Sequence, residues 1–231
     1  MLLALLVSHT APVIEVRLAS DSDGPALAQI DLATWMPVVS PAPPPADPAA
    51  YRFFNDRTVP SNVLVAELDA HLAGWVKVQS PTSMPSHAHV LEIGGLAVDP
   101  VRQGAGVGRR LVEAAVQECR RRGARKLTLR VLGLNTAACR LYDRCGFQVE
   151  GVLREEFLLA GRYVDDVLMA RHLVAPVRDR FGVPCGTLTT TSIMQAIGAA
   201  VRPRSASSAG VVCVLNEQMP CQVGRIGVAK T

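Results

Sequence analysis

The stretch VRQGAGVGRRL, residues 101–111, constrains the fold of this chain more than any other. It places three glycines at alternate positions, between the apolar segment VLEIGGLAV and a long amphipathic segment. Because glycine lacks a Cβ atom, successive backbone N–H groups can turn toward one anion, and a following helix adds the positive end of its dipole. The stretch therefore predicts a strand, a phosphate-binding turn and a helix in succession.

Two common phosphate-binding loops do not fit this stretch. A P-loop requires a lysine and then a serine or threonine after its last glycine, whereas Arg109 and Arg110 follow Gly108. A dinucleotide-binding fingerprint requires G-x-G-x-x-G and an acidic residue about 20 positions later. Here the glycines alternate and residues 127–131 contain no acid. Neither nucleotide-binding fold is predicted.

The segment upstream of the glycines alternates between strand and helix patterns. In VIEVRLA, apolar and polar residues alternate as in a strand. The next segment, DSDGPALAQIDLATW, has the apolar period of a helix and begins with Asp and Ser, which commonly cap helices. NVLVAEL and LAGWVKV, separated at Asp69, predict a β-hairpin. The proline-rich residues 41–48 predict an extended surface loop. In VLEIGGLAV, the pair Gly94-Gly95 predicts a bulge or a close backbone approach.

The segment downstream continues the alternation. Gly123 fits the position just after the next predicted helix. One face of this helix carries six apolar residues: Val107, Leu111, Val112, Ala115, Val116 and Cys119. KLTLRV is a predicted strand, Asn135 caps a short helix that ends at Gly146, and FQVEG and YVDDVLMAR are predicted strands. This order favours an α/β fold with a partly antiparallel sheet and helices on both faces.

Charge and composition separate the ends of the chain from its middle. The net charge of +4 resides in residues 175–231, and the rest of the chain is neutral. Because this excess of basic residues is small, a nucleic-acid partner is not predicted. We assign residues 1–12 to an N-terminal extension, residues 13–174 to one domain, and residues 175–231 to a tail of low or uncertain order. Apolar segments fall short of the roughly 20 residues that span a membrane, so no membrane partner is expected. Six scattered cysteines without a C-x-x-C pair predict a cytoplasmic protein with no metal.

Residues 13–174 resemble the GNAT superfamily of N-acetyltransferases. QGAGVG, residues 103–108, matches the superfamily motif Q/R-x-x-G-x-G/A. The pattern N-x-x-A-x-x-L-Y-x-x-x-G-F is matched by Asn135, Ala138, Leu141, Tyr142, Gly146 and Phe147. The resemblance implies the GNAT fold, a mostly antiparallel, twisted central sheet flanked by helices, and acetyl-CoA as the acyl donor. EGVLREEFLLAGRYVDDVLMAR is similar to a subgroup that acetylates amino acids or related small amines.

The resemblance also implies a set of donor-binding residues. The glycine loop would hold the diphosphate of coenzyme A, the preceding strand would offer backbone groups to the pantetheine arm, and Asn135 would bind that arm or cap its helix. The residues so assigned are Leu96, Ala97, Val98, Gln103, Gly104, Ala105, Gly106, Val107, Gly108 and Arg109.

Acetyl transfer to an amine requires one group that accepts a proton and one that donates a proton. Tyr142 lies two helical turns after Asn135, and the resemblance implies that its hydroxyl faces the thioester sulfur and protonates the departing thiolate. Glu92, on the strand before the glycine loop, is the candidate base, with His89 or a water relay as alternatives. A bulge at Gly94-Gly95 would decide whether Glu92 faces the cleft or the solvent.

These inferences predict an acetyl-CoA-dependent N-acetyltransferase that acts on a primary amine, small or amino-acid-like, by direct attack. An enzyme that acetylates a protein N-terminus or a lysine is one alternative. A non-catalytic sensor that binds acyl-CoA is another. The acceptor and a homodimer are left open.

Overall fold

A computed structural model of the chain describes residues 13–174. The expectations for the N-terminal extension and for the tail concern residues 1–12 and 175–231, which lie outside the described residues. The division into domains therefore stays a prediction.

Within residues 13–174, seven strands form one sheet in the order β1-β2-β3-β4-β5-β7-β6. All neighbouring strands are antiparallel except β4 and β5, which are parallel. The strands are β1 (Ile14–Leu18), β2 (Val63–Leu68), β3 (His71–Gln79), β4 (Val90–Val98), β5 (Lys126–Leu132), β6 (Gln148–Leu159) and β7 (Arg162–His172). The mixed, mostly antiparallel sheet that the sequence predicted is confirmed.

Three α-helices of the described range cover the two faces of the sheet. Helix α1 (Gly24–Thr34) packs on one face, and α2 (Val107–Arg121) and α3 (Thr136–Arg144) pack on the other. Strand β2 shows the division, since Val63 and Val65 belong to the core with α1 while Leu64 and Ala66 belong to the core with α2. Both predicted helix ends are confirmed, because Gly123 and Gly146 have φ of 78° and 80°.

The six apolar residues predicted for one face of α2 are all buried. The β2–β3 hairpin is also confirmed, and its turn residues Asp69 and Ala70 have positive φ, as a tight hairpin turn requires. The proline-rich residues 41–48 lie in an irregular, mostly exposed connection.

Strand β6 is longer than the sequence pattern suggested. FQVEG predicted a strand that ends near residue 151, whereas β6 continues to Leu159. It is an edge strand with mostly exposed residues on both faces, so no apolar alternation marks its second half. Three residues between Leu153 and Phe157 bulge out of the pairing with β7, and Glu155 there has φ of 53°.

The paired glycines produce a bulge in β4, as the sequence predicted. Lys77 pairs with Gly95 and Val78 pairs with Ile93, so Gly94 is the extra residue. A Cβ atom on Gly95 would lie 2.8 Å from the ring of Trp75, which shows a close approach as well.

Strands β4 and β5 separate soon after they meet. Only four residues of each strand are paired: Val90–Ile93 of β4 pair with 126–129 of β5. Both strands continue beyond these residues. From Gly94 onward, no described strand pairs with β4 on the side of β5. The sheet therefore opens into a gap near its centre.

Gly74 supports the approach of β3 to β4, and its replacement by alanine should destabilise the fold. The added Cβ would lie 2.6 Å from the backbone oxygen of Ala97, which cannot move without disturbing β4. Such overpacking costs about 1–3 kcal/mol in the free energy of unfolding, measurable by urea denaturation. Gly151→Ala is the matched control because its Cβ would meet no atom within 4 Å. Equal losses in the free energy of unfolding for the two substitutions would show that the close contact at Gly74 is not the cause.

Candidate active site

A cavity of about 650 Å³ passes through the gap between β4 and β5. Its walls come from α1, the connection that follows α1, the strands beside the gap, and α3. The residues that face it from both sides of the sheet include Asp31, Tyr51, Lys77, Glu92, Gly95, Arg130, Asn135, Tyr142 and Asp166. The cavity thus joins the face that carries α1 to the face that carries α3.

The glycine loop lies at the end of β4 and is exposed. Gly104 has φ of 83°, and Gly106, the residue before α2, has φ of 89°. These are left-handed conformations that glycine adopts without strain. Gly108 has another role, since a Cβ there would lie 3.3 Å from Leu141 of α3. Gly104 and Gly106 therefore permit the positive φ of the loop, Gly108 permits the close approach of α3, and the first amides of α2 remain available to a ligand.

The side chains around the loop are placed differently from one another. Gln103 donates a hydrogen bond to the backbone oxygen of Val98 at 3.3 Å, which ties the loop to β4. Val107 is buried in the core, and Ala105 is exposed. The exposed side chain of Arg109 forms an ion pair with Glu113 at 2.8 Å. None of these loop residues lines the cavity, so the loop lies beside it.

Residues Leu96 and Ala97 line the cavity at the gap. Their backbones pair with β3 on one side only, and Val98 continues the strand toward the loop. Leu96 and Val98 pack against the core with α2, whereas Ala97 belongs to the core with α1. Their side chains are structural, while their backbone groups on the open side have no strand partner among the described residues.

Tyr142 lies at the α3 end of the cavity and is only 7% exposed. Its ring centroid is 5.7 Å from that of Phe147, and its hydroxyl forms no hydrogen bond with a described residue. Burial raises the pKa of Tyr142 well above its usual range, so the hydroxyl keeps its proton at physiological pH. A neutral phenol in a cavity wall can donate a proton.

Asn135 caps α3, one of the two roles predicted for it. Its Oδ1 accepts a hydrogen bond from the backbone N–H of Ala138 at 3.1 Å. The residue also lines the cavity. The cap fixes the start of the helix that carries Tyr142.

Glu92 faces the cavity, whereas His89 does not. The half-buried Glu92 pairs across the sheet with Gln79, whose Nε2 donates to Glu92 Oε2 at 3.1 Å. His89 is exposed, precedes β4, and lies with its ring centroid 6.1 Å from that of His87. The structure therefore brings Glu92 and Tyr142 to one cavity and leaves His89 outside it.

The sequence interpretation missed several polar residues of the cavity. Lys77 and Gln79 share the cavity face of β3 with Trp75, and the period of two in GWVKVQ could have indicated this. Arg130 and Asp166 form an ion pair, and Asp166 is 2% exposed. Their proximity follows from the insertion of β7 next to β5, which the order of elements along the chain does not reveal.

A cover closes the α1 end of the cavity. We use this term for the connection formed by residues 35–58. Tyr51 of the cover donates a hydrogen bond to Asp31 of α1 at 2.5 Å, and burial raises the pKa of the Asp31 carboxyl. Trp35 packs edge-on against Tyr51 and donates to the backbone oxygen of Ala42 at 3.0 Å. Aromatic rings thus limit access from this side.

Two further observations concern the described residues alone. Within residues 13–174, no three side chains of metal-binding type lie close together. In the same range, no helix has the length and apolar character to cross a bilayer. The absence of a metal and of a membrane partner stays a prediction.

Comparison with known proteins identifies a family pattern and named relatives. The pattern described as the acetyltransferase (GNAT) family matches residues 25–147. A phosphinothricin N-acetyltransferase of Alcaligenes faecalis is 30% identical over 164 residues, which cover 69% of this chain and 83% of that protein. A mycothiol acetyltransferase of Cellulomonas flavigena is 38% identical over 93 residues.

The matches differ in how much of each relative they cover. The mycothiol acetyltransferase match covers 38% of this chain and only 27% of that enzyme, so the chain spans about a quarter of its length. In the solved structures, a GNAT superfamily phosphinothricin acetyltransferase of Sinorhizobium meliloti in complex with acetyl-CoA matches with a TM-score of 0.59 at 18% identity. That match covers 78% of this chain and 98% of the other, and it agrees with the fold described above.

Proposed function

The chain belongs to the acetyltransferase (GNAT) family, and from that premise we propose that it transfers an acetyl group from acetyl-CoA to the primary amine of a small molecule. One observation carries the proposal: a single cavity joins the gap between β4 and β5 to the covered face of the sheet, with Tyr142 and Glu92 in its walls. Such a passage lets a donor and an acceptor meet from opposite sides.

The residues beside the gap suit an acyl donor that has a phosphorylated, amide-containing arm. The exposed loop and the first amides of α2 can hold a diphosphate, since amide hydrogens and the helix dipole both favour an anion. The open side of β4 at Leu96 and Ala97 can pair with amides, as a strand pairs with an added peptide. We propose that Gln103 to Gly108 hold the diphosphate and that 96–98 hold the arm.

Gly106→Ala should weaken acetyl-CoA binding. The alanine would oppose a φ of 89° at a cost of roughly 1–2 kcal/mol, and a loop that relaxes this strain turns its amides away from the diphosphate. We expect the Kd for acetyl-CoA, measured by calorimetry, to rise about tenfold. Gly123→Ala is the matched control, because Gly123 has φ of 78° at the other end of α2, far along the chain from the loop. If both variants bind acetyl-CoA equally well, the loop does not hold the donor.

Catalysis requires that the acceptor amine lose a proton before it attacks. For an alkyl ammonium with a pKa near 10.4, this costs roughly 4–5 kcal/mol at pH 7. We propose that Glu92 accepts this proton, directly or through a water molecule, because its carboxylate faces the cavity and is held by Gln79. His89 is the weaker candidate because it lies outside the cavity wall.

We propose that Tyr142 completes the reaction. The amine nitrogen bonds to the carbonyl carbon, the carbon–sulfur bond breaks, and the departing sulfur takes the proton of the Tyr142 hydroxyl. The new amide nitrogen then loses its second proton, which returns to the Tyr142 oxygen directly or through water, and the proton held by Glu92 passes to solvent. Three facts about Tyr142 support this role: it lines the cavity, its hydroxyl has no hydrogen-bond partner among the described residues, and burial raises its pKa so that the hydroxyl holds its proton until the thiolate forms. Asn135 supports it indirectly, by fixing the start of α3.

The cover supports a small acceptor over a protein chain. Tyr51 is tied to Asp31, and Trp35 packs on Tyr51, so the acceptor end is narrowed by aromatic rings. An open groove beside the sheet would instead favour a peptide. The relative from Alcaligenes faecalis is named a phosphinothricin N-acetyltransferase, and that name supports a small-molecule acceptor.

A panel of amines assayed with acetyl-CoA on the full chain tests the proposal. Release of the thiol of coenzyme A with small amines or amino acids, and none with peptides, is the expected result. Release with peptides alone would favour the protein acetyltransferase. Binding of acetyl-CoA without release from any amine would favour the sensor. We propose a cytoplasmic location on the sequence grounds given above, and the homodimer stays open.

A further inference from the structure

Lys77 is a charged residue of the cavity wall to which the mechanism above assigns no role. It lies on β3 opposite Gly95, with its side chain on the cavity face beside that of Gln79. The side chain is half-buried, and its Nζ donates one hydrogen bond, to Thr58 Oγ1 at 3.3 Å. No described carboxylate oxygen lies within the 4.0 Å of an ion pair with it.

The ammonium of Lys77 has more donors than partners. It carries three N–H groups and, among the described residues, uses one of them. Burial lowers the pKa of Lys77, whereas the charges of Glu92 and Asp31 raise it and that of Arg57 lowers it. A partly desolvated ammonium with two free donors is stabilised by an anion that it can contact directly.

Arg130, the second cation that lines the cavity, is less able to bind an anionic ligand because it is already paired. The guanidinium of Arg130 is held by the buried carboxylate of Asp166, and Glu156 lies 3.6 Å from it. Its charge is therefore matched within the protein. Lys77 is the cavity cation that no described carboxylate pairs.

We propose that Lys77 binds an anionic group of the acceptor, a carboxylate or a comparable oxyanion, and so selects amines that carry one. The inference rests on the proposed acetyl transfer and names the class of acceptor for it. Glu92 lies on the next strand opposite Gln79, two residues along β3 from Lys77, and Lys77 and Glu92 both line the cavity. The amine of a zwitterion can then lie near the carboxylate while its anionic group reaches the ammonium.

The test compares an L-amino acid with its primary amide at a pH above the pKa of both α-amino groups, so that the two acceptors differ in the anionic group and not in the fraction of neutral amine. Steady-state thiol release is measured on the full chain for wild type, Lys77→Met and Lys77→Arg. In wild type we expect the acid to be used with a kcat/KM at least about tenfold above that of the amide. In Lys77→Met, the KM for the acid should rise about tenfold to a hundredfold, as loss of a charged hydrogen bond predicts, with little change for the amide. Lys77→Arg should retain most of the preference.

Lys126→Met is the matched control, because Lys126, the other lysine of residues 13–174, pairs with Glu150 away from the cavity. It should leave both acceptors unaffected. Equal use of acid and amide by wild type overturns the role of Lys77 and leaves the acetyl transfer intact, and this comparison needs no variant to fold. A fall in kcat for both acceptors in Lys77→Met, at constant KM, would instead make Lys77 a base and overturn the proposal. Absence of thiol release with every amine removes the proposed function, and the role of Lys77 with it.

Discussion

Tyr142→Phe should lower kcat by about a hundredfold to ten-thousandfold and leave the Kd for acetyl-CoA nearly unchanged. This is the range for loss of one proton donor in a transition state. The substitution removes one oxygen atom from a side chain that is 7% exposed and keeps the ring that packs on Phe147. Because the hydroxyl forms no hydrogen bond with a described residue, its removal breaks no internal contact. Steady-state thiol release gives kcat, and calorimetry gives the Kd.

A second tyrosine provides the control for this result. Tyr163 on β7 is 67% exposed and does not line the cavity, so Tyr163→Phe should behave as wild type. Turnover of Tyr142→Phe at the wild-type level would show that the thiolate leaves without this donor. Thermal unfolding of both variants separates a loss of chemistry from a loss of fold.

Glu92→Gln should lower kcat/KM by about a hundredfold or more, the scale of general base catalysis, and the loss should shrink as the pH rises toward the pKa of the acceptor amine, which then becomes neutral without a base. Glutamine has the same shape, so the cross-strand contact with Gln79 can persist while the basic oxygen is lost. The measurement is the rate of thiol release across a range of pH at saturating acetyl-CoA. The base acts on the acceptor, so the Kd for acetyl-CoA should not change.

His89→Ala tests the alternative base. Since His89 is exposed and lies outside the cavity wall, its loss should leave the pH profile of kcat/KM as in wild type. A loss of kcat/KM in His89→Ala with wild-type kcat/KM in Glu92→Gln would reverse the assignment. Wild-type kcat/KM in both variants would exclude both residues as the base and favour a water relay.

Local patterns predicted the elements that carry the site. The apolar face of α2 follows from the helical period, and the bulge of β4 follows from two adjacent glycines, because both depend on residues close in sequence. The cap of α3 by Asn135 is a contact across three residues and is equally local. The family resemblance is confirmed, and the roles assigned to Tyr142 and Glu92 stay predictions.

The sequence patterns did not predict which elements distant in sequence lie next to one another. Nothing local indicates that β7 inserts between β5 and β6, and the pairing of Arg130 with Asp166 depends on that insertion. The length of β6 was missed because both of its faces are exposed and leave no apolar alternation. The position of Lys77 against the cavity depends on where β4 bulges and on the fold of the cover, which joins residues far apart in sequence.

The short pairing of β4 with β5 has a consequence for the stability of the protein. A sheet normally confines its unpaired backbone groups to its outer rim, whereas this one exposes a row of them at its centre. A donor that pairs with this row behaves as a missing strand and adds its binding free energy to that of folding. By this linkage, acetyl-CoA bound as proposed would raise the free energy of unfolding of the chain as well as supply its reaction.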